Sequence, residues 1–144
     1  MSFFSQSRAR HIELGRRGEA AAVRFFRQRN CVILARNWRF TTAHDGNGEL
    51  DIVLLDGETL VFAEVKTLRR AHKYLPGGNL HEKQKRRIRR GARAYCRKFS
   101  IPENLEKRFD LVEVLHSGRR VQDIALHENY MSFSLTEVPS GTIL

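Results

Sequence analysis

The chain has 144 residues, of which 41% are hydrophobic, which fits one compact domain with its own core. Its 26 Lys and Arg against 16 Asp and Glu leave a net charge of +10, more than solubility requires, and a field of that sign attracts polyanions. The polar, basic opening from Met1 to His11 and the lack of a long apolar run argue against a signal peptide or membrane span and make the cytoplasm the expected compartment.

In chain order, Ile12 to Arg29 places Ile12, Gly15, Ala22, Val23 and Phe26 on one helical stripe, and Asn30 supplies a left-handed residue to end the helix. Cys31 to Ala35 reads as a short strand, followed by Asn37-Trp38-Arg39 and a flexible stretch through Asp45-Gly46-Asn47-Gly48. Leu50 to Leu55 and Leu60 to Lys66 read as an antiparallel hairpin around the turn composition Asp56-Gly57-Glu58-Thr59. After a Pro76–Gly78 loop, Leu80 to Phe99 carries Ile88, Ala92, Tyr95 and Phe99 on one helical stripe. Arg108 to Leu115 and Val121 to Leu126 then form strands joined through Ser117-Gly118. The expectation is one domain over residues 1–144, in the order α-β-β-β-α-β-β, with its core at about 11–127 and ragged ends before His11 and after Val138. Cys31 and Cys96 lie far apart in apolar segments and read as buried thiols rather than a disulfide or zinc site.

The chemistry concentrates in the hairpin. Glu64 and Lys66 stand two apart on a strand and so share a face, while Val61, Ala63 and Val65 take the other. A turn over Asp56–Thr59 sets Leu55 against Leu60 and Asp51 against Glu64; a turn of Asp56 and Gly57 alone sets Asp51 against Phe62. Both registers bring Asp51, Glu64 and Lys66 to one face, within roughly 5–8 Å. Two carboxylates that close repel and lose solvation, which Mg²⁺ or Mn²⁺ and the lysine would relieve. Hard oxygen ligands suit such an ion. On the first helix Glu19 falls on the stripe facing the sheet and needs a partner there, which either the metal site or Lys66 supplies. The expected metal ligands are therefore Asp51, Glu64 and Glu19, with Lys66 beside them; Glu49, facing Lys66 in the first register, is a lesser candidate. A lone Glu-x-Lys is a short motif, and an exposed ion-pair cluster is its ordinary alternative.

The second helix holds Lys83, Lys85, Arg86, Arg87, Arg89, Arg90, Arg93, Arg97 and Lys98 against the single acid Glu82. An ordinary solvated face mixes both signs, so this one reads as a phosphate-binding surface, extended towards the acidic site by Arg69, Arg70 and Lys73. The expected nucleic-acid contacts are Arg69, Arg70, Lys83, Lys85, Arg86, Arg87, Arg90 and Arg93. No aromatic ladder accompanies them, which favours backbone contact over base reading. His44, His72, His81, His116 and His127 lack metal-ligand spacing and read as surface histidines.

These residues resemble the YraN family of uncharacterised bacterial proteins over roughly Gly15 to Val114. The resemblance rests on Gly15-Arg16-Arg17-Gly18-Glu19 with Ala22, Ile33 to Arg39, Gly48-Glu49-Leu50-Asp51-Ile52-Val53, Val61 to Thr67, and Arg108-Phe109-Asp110-Leu111-Val112. It implies a restriction-endonuclease-like, Holliday junction resolvase-like core: an α/β fold whose mixed central sheet is flanked by helices. It also implies a site of Asp51, Glu64 and Lys66 joined by Glu19. The expected function is a Mg²⁺- or Mn²⁺-dependent nuclease acting on DNA rather than RNA, on branched or flapped structures. A homodimer would serve a junction's two strands. The alternatives are a non-catalytic nucleic-acid-binding module and a basic protein-interaction adaptor.

Overall fold

The computed structural model of the protein describes residues 3–43, 46–69 and 80–133, with side chains from Arg8 onward. In chain order these form α1 (Phe3–Gln28), β1 (Val32–Thr42), β2 (Gly46–Asp56), β3 (Thr59–Arg69), α2 (Glu82–Lys98), β4 (Lys107–Ser117) and β5 (Arg120–Met131). That is the expected α-β-β-β-α-β-β order. The strands build one mixed sheet in the order β1-β2-β3-β4-β5, antiparallel throughout except for the β3–β4 pair. The parallel pair needs a crossover, and α2 provides it.

Each helix covers one face. On the α1 face, Ala22, Val23 and Phe26 pack on Ile52, Val61, Val112 and Val114. On the α2 face, Ile88, Ala92 and Tyr95 pack on Val53, Leu60, Phe62 and Phe109. The central strands are therefore buried on both sides, which explains their near-continuous apolar runs. Phe62 organises the α2 face, edge-on to Tyr95 with centroids 5.8 Å apart and 5.7 Å from Phe109.

Asn30 closes α1 as expected: at φ 63° it lets Cys31 N donate to Phe26 O at 3.0 Å and its own N–H to Arg27 O at 3.0 Å, the paired bonds of a left-handed helix stop. Gly57, at φ 60°, allows the tight β2–β3 turn. Leu55 there faces Leu60, the first of the two registers, although Asp56 and Thr59 also pair, so the loop is only Gly57 and Glu58.

Several expectations need correction. Part of the stretch read as flexible is strand: β1 continues to Thr42 and β2 begins at Gly46, paired through Thr42–Gly46 and Phe40–Gly48, while Asp45 lies outside the described residues. The helix begins well before His11, and Ile12 is half exposed, because the buried stripe runs through Gly18, Ala21, Ala22, Val23 and Phe26 instead. Phe99 caps α2 from an exposed position rather than continuing its buried stripe. Cys31 is buried but Cys96 only partly so. His116 is buried with Nδ1 3.1 Å from Gly118 O, and His127 Nε2 lies 2.5 Å from the buried Glu113 carboxylate, so neither is an ordinary surface histidine. The Pro76–Gly78 loop, Arg70, Lys73, His44, His72 and the chain after Val138 lie outside the described residues.

Candidate functional site

The β2–β3 ladder stops at the Ile52–Ala63 pair. Beyond it β2 runs on alongside β1, as far as Gly46 against Thr42, while β3 runs on beside β4 to Arg69 against His116. The sheet thus divides between its second and third strands, leaving backbone groups on both inner edges without ladder partners among the described residues. Such groups need replacements, and Asp51 supplies one: its Oδ2 accepts the Val65 N–H at 2.8 Å.

Local backbone irregularity puts Asp51 there. Asn37 has φ 51°, lies between the Arg36–Ile52 and Trp38–Leu50 pairs, level with Asp51, and follows a bulge between Ile33 and Ala35. In a regular strand Leu50 and Ile52 would share a face, yet Leu50 packs in the α2-side core and Ile52 in the α1-side core. The strand therefore rotates about Asp51, bringing its carboxylate into the cleft.

Gly18 brings α1 to the same place. A Cβ on Gly18 would collide with Thr67 Oγ1 on β3, so only glycine permits that approach. The next residue, Glu19, then reaches the cleft, where Asn37 Nδ2 donates to its Oε2 at 2.9 Å. Oxygen atoms of Glu19, Glu49 and Asp51 lie within 4.8 Å of one another. Glu64 joins them from the α2 side, beside Asp51, and accepts a hydrogen bond from Gln84 Nε2 at 3.4 Å.

The energetic cost of this convergence appears in the acidities. Burial, then the charges of Asp51 and Glu49, raise Glu19 to about 7. Burial raises Asp51 against the opposing Val65 hydrogen bond. Burial, followed by the neighbouring Asp51, holds Glu64 well above the usual carboxylate range. A nearby positive charge would favour the ionised forms of Glu19, Asp51 and Glu64.

Of the expected ligands, Glu19 and Asp51 thus converge, with Glu64 beside the latter. Glu49, rated below them from sequence, completes the close trio. Its signal was an acidic residue two before Asp51, discounted because ladder counting set it against Lys66. That ladder ends before reaching either residue, and half-buried Lys66 pairs instead with Glu113 of β4.

Among the expected phosphate contacts, Arg69, Lys83, Arg86 and Arg87 are exposed. Lys85 lies 3.4 Å from Glu82 and over the Tyr130 ring, while Arg90 and Arg93 are only partly exposed and have partners. No described helix is long and apolar enough to cross a membrane.

A five-stranded mixed sheet with a helix on each face and carboxylates gathered at a split between strands defines a mixed α/β protein consistent with a nuclease-like core. The chain belongs to the uncharacterised protein family UPF0102, whose model matches residues 18–114, a span that starts one residue before Glu19 and holds every residue of the cleft. It is similar to a UPF0102 protein of Solibacter usitatus, 41% identical over 102 residues covering 70% of this chain and 74% of the relative. A Geotalea uraniireducens relative is 34% identical over 83% of this chain and 90% of its own. One from Caldicellulosiruptor saccharolyticus is 36% identical over 81% and 95%.

Proposed function

We propose that this protein is a metal-dependent nuclease acting on DNA, with its centre in the cleft between β2 and β3. The observation that carries this reading is the convergence of carboxylate oxygens of Glu19, Glu49 and Asp51, drawn from α1 and β2, within 4.8 Å of one another, where burial first and neighbouring charge second raise the proton affinity of Glu19 and Asp51. An all-carboxylate oxygen set fits Mg²⁺ or Mn²⁺ and not a softer ion. When bound, such an ion supplies Lewis-acid polarisation of a phosphoryl oxygen.

The protein's own residues divide the remaining work. Glu19, Glu49 and Asp51 would hold the ion, with Glu64 adjoining Asp51. Val65 N–H and Asn37 Nδ2 fix the orientations of the Asp51 and Glu19 carboxylates. Lys66, on the strand that carries Glu64, orients the attacking water or offsets charge on the phosphate. The exposed cations Arg69, Lys83, Arg86 and Arg87 hold flanking phosphates.

The test titrates Mg²⁺ and Mn²⁺ into wild-type protein and Asp51→Asn, with labelled single-stranded, duplex, flapped and four-way DNA. Metal-dependent cleavage by the wild type alone supports the reading. Salt-sensitive binding without cleavage by either protein replaces it with a non-catalytic binding module.

A further inference from the structure

Beside the acidic cleft, between the ends of β1 and β2 and the first turns of α2, lies a cavity of about 630 Å³. Its walls include Arg39, Thr41, Asn47, Glu49 and Arg87. Glu49 belongs to both places, since its carboxylate also meets Glu19 and Asp51. Whatever occupies the cavity therefore abuts the proposed metal centre.

We infer that this cavity receives a single strand of nucleic-acid backbone next to the scissile phosphate, with Arg39 and Arg87 as its phosphate contacts. The inference rests on the nuclease reading and adds to it a strand-entry site. At about 630 Å³ and open to solvent, the cavity has room for the backbone of one strand but not for a whole duplex to enter. The volume is nevertheless in the range of ordinary ligand sites, about 300–1,000 Å³.

The wall chemistry suits a phosphodiester. Two guanidinium groups face one carboxylate, and guanidinium matches phosphate geometry with paired donors. Arg39 Nε stands 3.6 Å from Glu49 Oε2, but the arginine side chain is 87% exposed. An open pair of that kind contributes little, so Arg39 is able to turn to a phosphate. Thr41 Oγ1 donates to Asn47 Oδ1 at 2.9 Å, which occupies the amide oxygen and leaves the NH₂ group to donate. The Phe40 ring is almost fully buried under Gly48 and Gly91, so it forms a floor and offers no face for stacking. The site therefore selects backbone rather than base.

Fluorescence anisotropy in EDTA tests this with a labelled oligothymidylate and a blunt duplex of equal length. The variants are the double substitution Arg39→Gln with Arg87→Gln, and the control Arg24→Gln with Arg27→Gln on the exposed side of α1, which removes the same charge. The cavity pair should weaken single-strand binding at least tenfold relative to the control pair and lower the slope of log affinity against log salt by about 1.4, at about 0.7 per phosphate. Its effect on the duplex should match the control's. Equal losses from both pairs, equal losses on both DNA forms, or no binding of the single strand by wild-type protein would overturn the inference. Cleavage by the same proteins in Mg²⁺ separates the two ideas: a wild type that binds through Arg39 and Arg87 but never cuts removes the nuclease reading alone, whereas cutting with binding indifferent to both arginines removes the strand-entry site alone.

Discussion

Asp51 Oδ2 accepts the Val65 N–H at 2.8 Å immediately beyond the last rung of the β2–β3 ladder, so one carboxylate both closes the strand edge and serves the acidic cleft. Substitutions should separate these two roles. In Asp51→Asn the amide oxygen still accepts from Val65 while a repelling charge is lost; metal-free stability at pH 8 should hold or rise, and Mg²⁺-induced stabilisation should vanish. Asp51→Ala leaves the N–H without a partner and should cost about 1–3 kcal/mol. Urea unfolding with and without Mg²⁺ reads both effects, and equal stability of the two variants would remove the edge-closing role.

Acidity of Glu19 makes stability depend on pH. Its folded value of about 7 lies above its ordinary 4.5, so between those values the folded chain binds more protons than the unfolded one, and stability falls as pH rises. Metal-free protein should lose several degrees in Tm from pH 5 to pH 7.5. Saturating Mn²⁺ should flatten the slope, because ion binding displaces those protons. A slope unchanged by the ion would contradict a shared site.

Glycines in α1 offer a matched pair. Gly18→Ala drives a methyl into Thr67 Oγ1, which should cost about 1–3 kcal/mol and weaken Mn²⁺ binding by displacing Glu19. Gly15 has nothing within 4 Å of the equivalent position, so Gly15→Ala should stabilise by up to about 1 kcal/mol through helix propensity. Denaturant midpoints and Mn²⁺ titration of both variants decide it.

Arg108 marks a polar network unconnected with the cleft. Its guanidinium holds both oxygens of the buried Asp110 at 2.8 and 2.9 Å and reaches Asp56 at 3.0 Å, while Asn129 N–H also donates to Asp110. Arg108→Ala strands a buried carboxylate and should cost about 3–5 kcal/mol, leaving Mn²⁺ affinity at low temperature unchanged. A large loss of affinity in folded protein would tie this network to the cleft.

Much of this arrangement is legible in the residues, for identifiable reasons. Alternation along Leu60–Lys66 and the turn at Gly57 are short-range, so they fix the hairpin and bring Asp51 near Glu64. The place of Glu49 is not legible in the same way. It depends on a rotation of β2 about Asp51, produced by left-handed Asn37 and the bulge before it, and ladder counting assumes an unbroken strand. Asn37 between Arg36 and Trp38, at the end of a strand-like run, was the available clue, since asparagine tolerates that backbone better than most residues. Asn47-Gly48 belongs to a stretch with the composition of a turn, yet pairing with β1 keeps it in the strand, while Gly46 alone takes the left-handed backbone at φ 70°. Tertiary context overrode local preference there. Gly18, rather than Gly15, sets the helix approach because the contact with Thr67 joins residues distant in sequence.

The irregularities of β1 also govern how the molecule meets copies of itself. As an outermost strand among the described residues, β1 has one side without a neighbouring described strand, and Val32 and Leu34 are 57% and 43% exposed, a combination that invites edge-to-edge association and fibre growth. The bulge after Ile33 and the left-handed turn at Asn37 interrupt any straight run of amides, and exposed Arg36 and Arg39 add like charge along the same border. The kink that rotates the acidic residues into place thereby also guards against aggregation, and straightening it by substitution at Asn37 would endanger solubility along with the cleft.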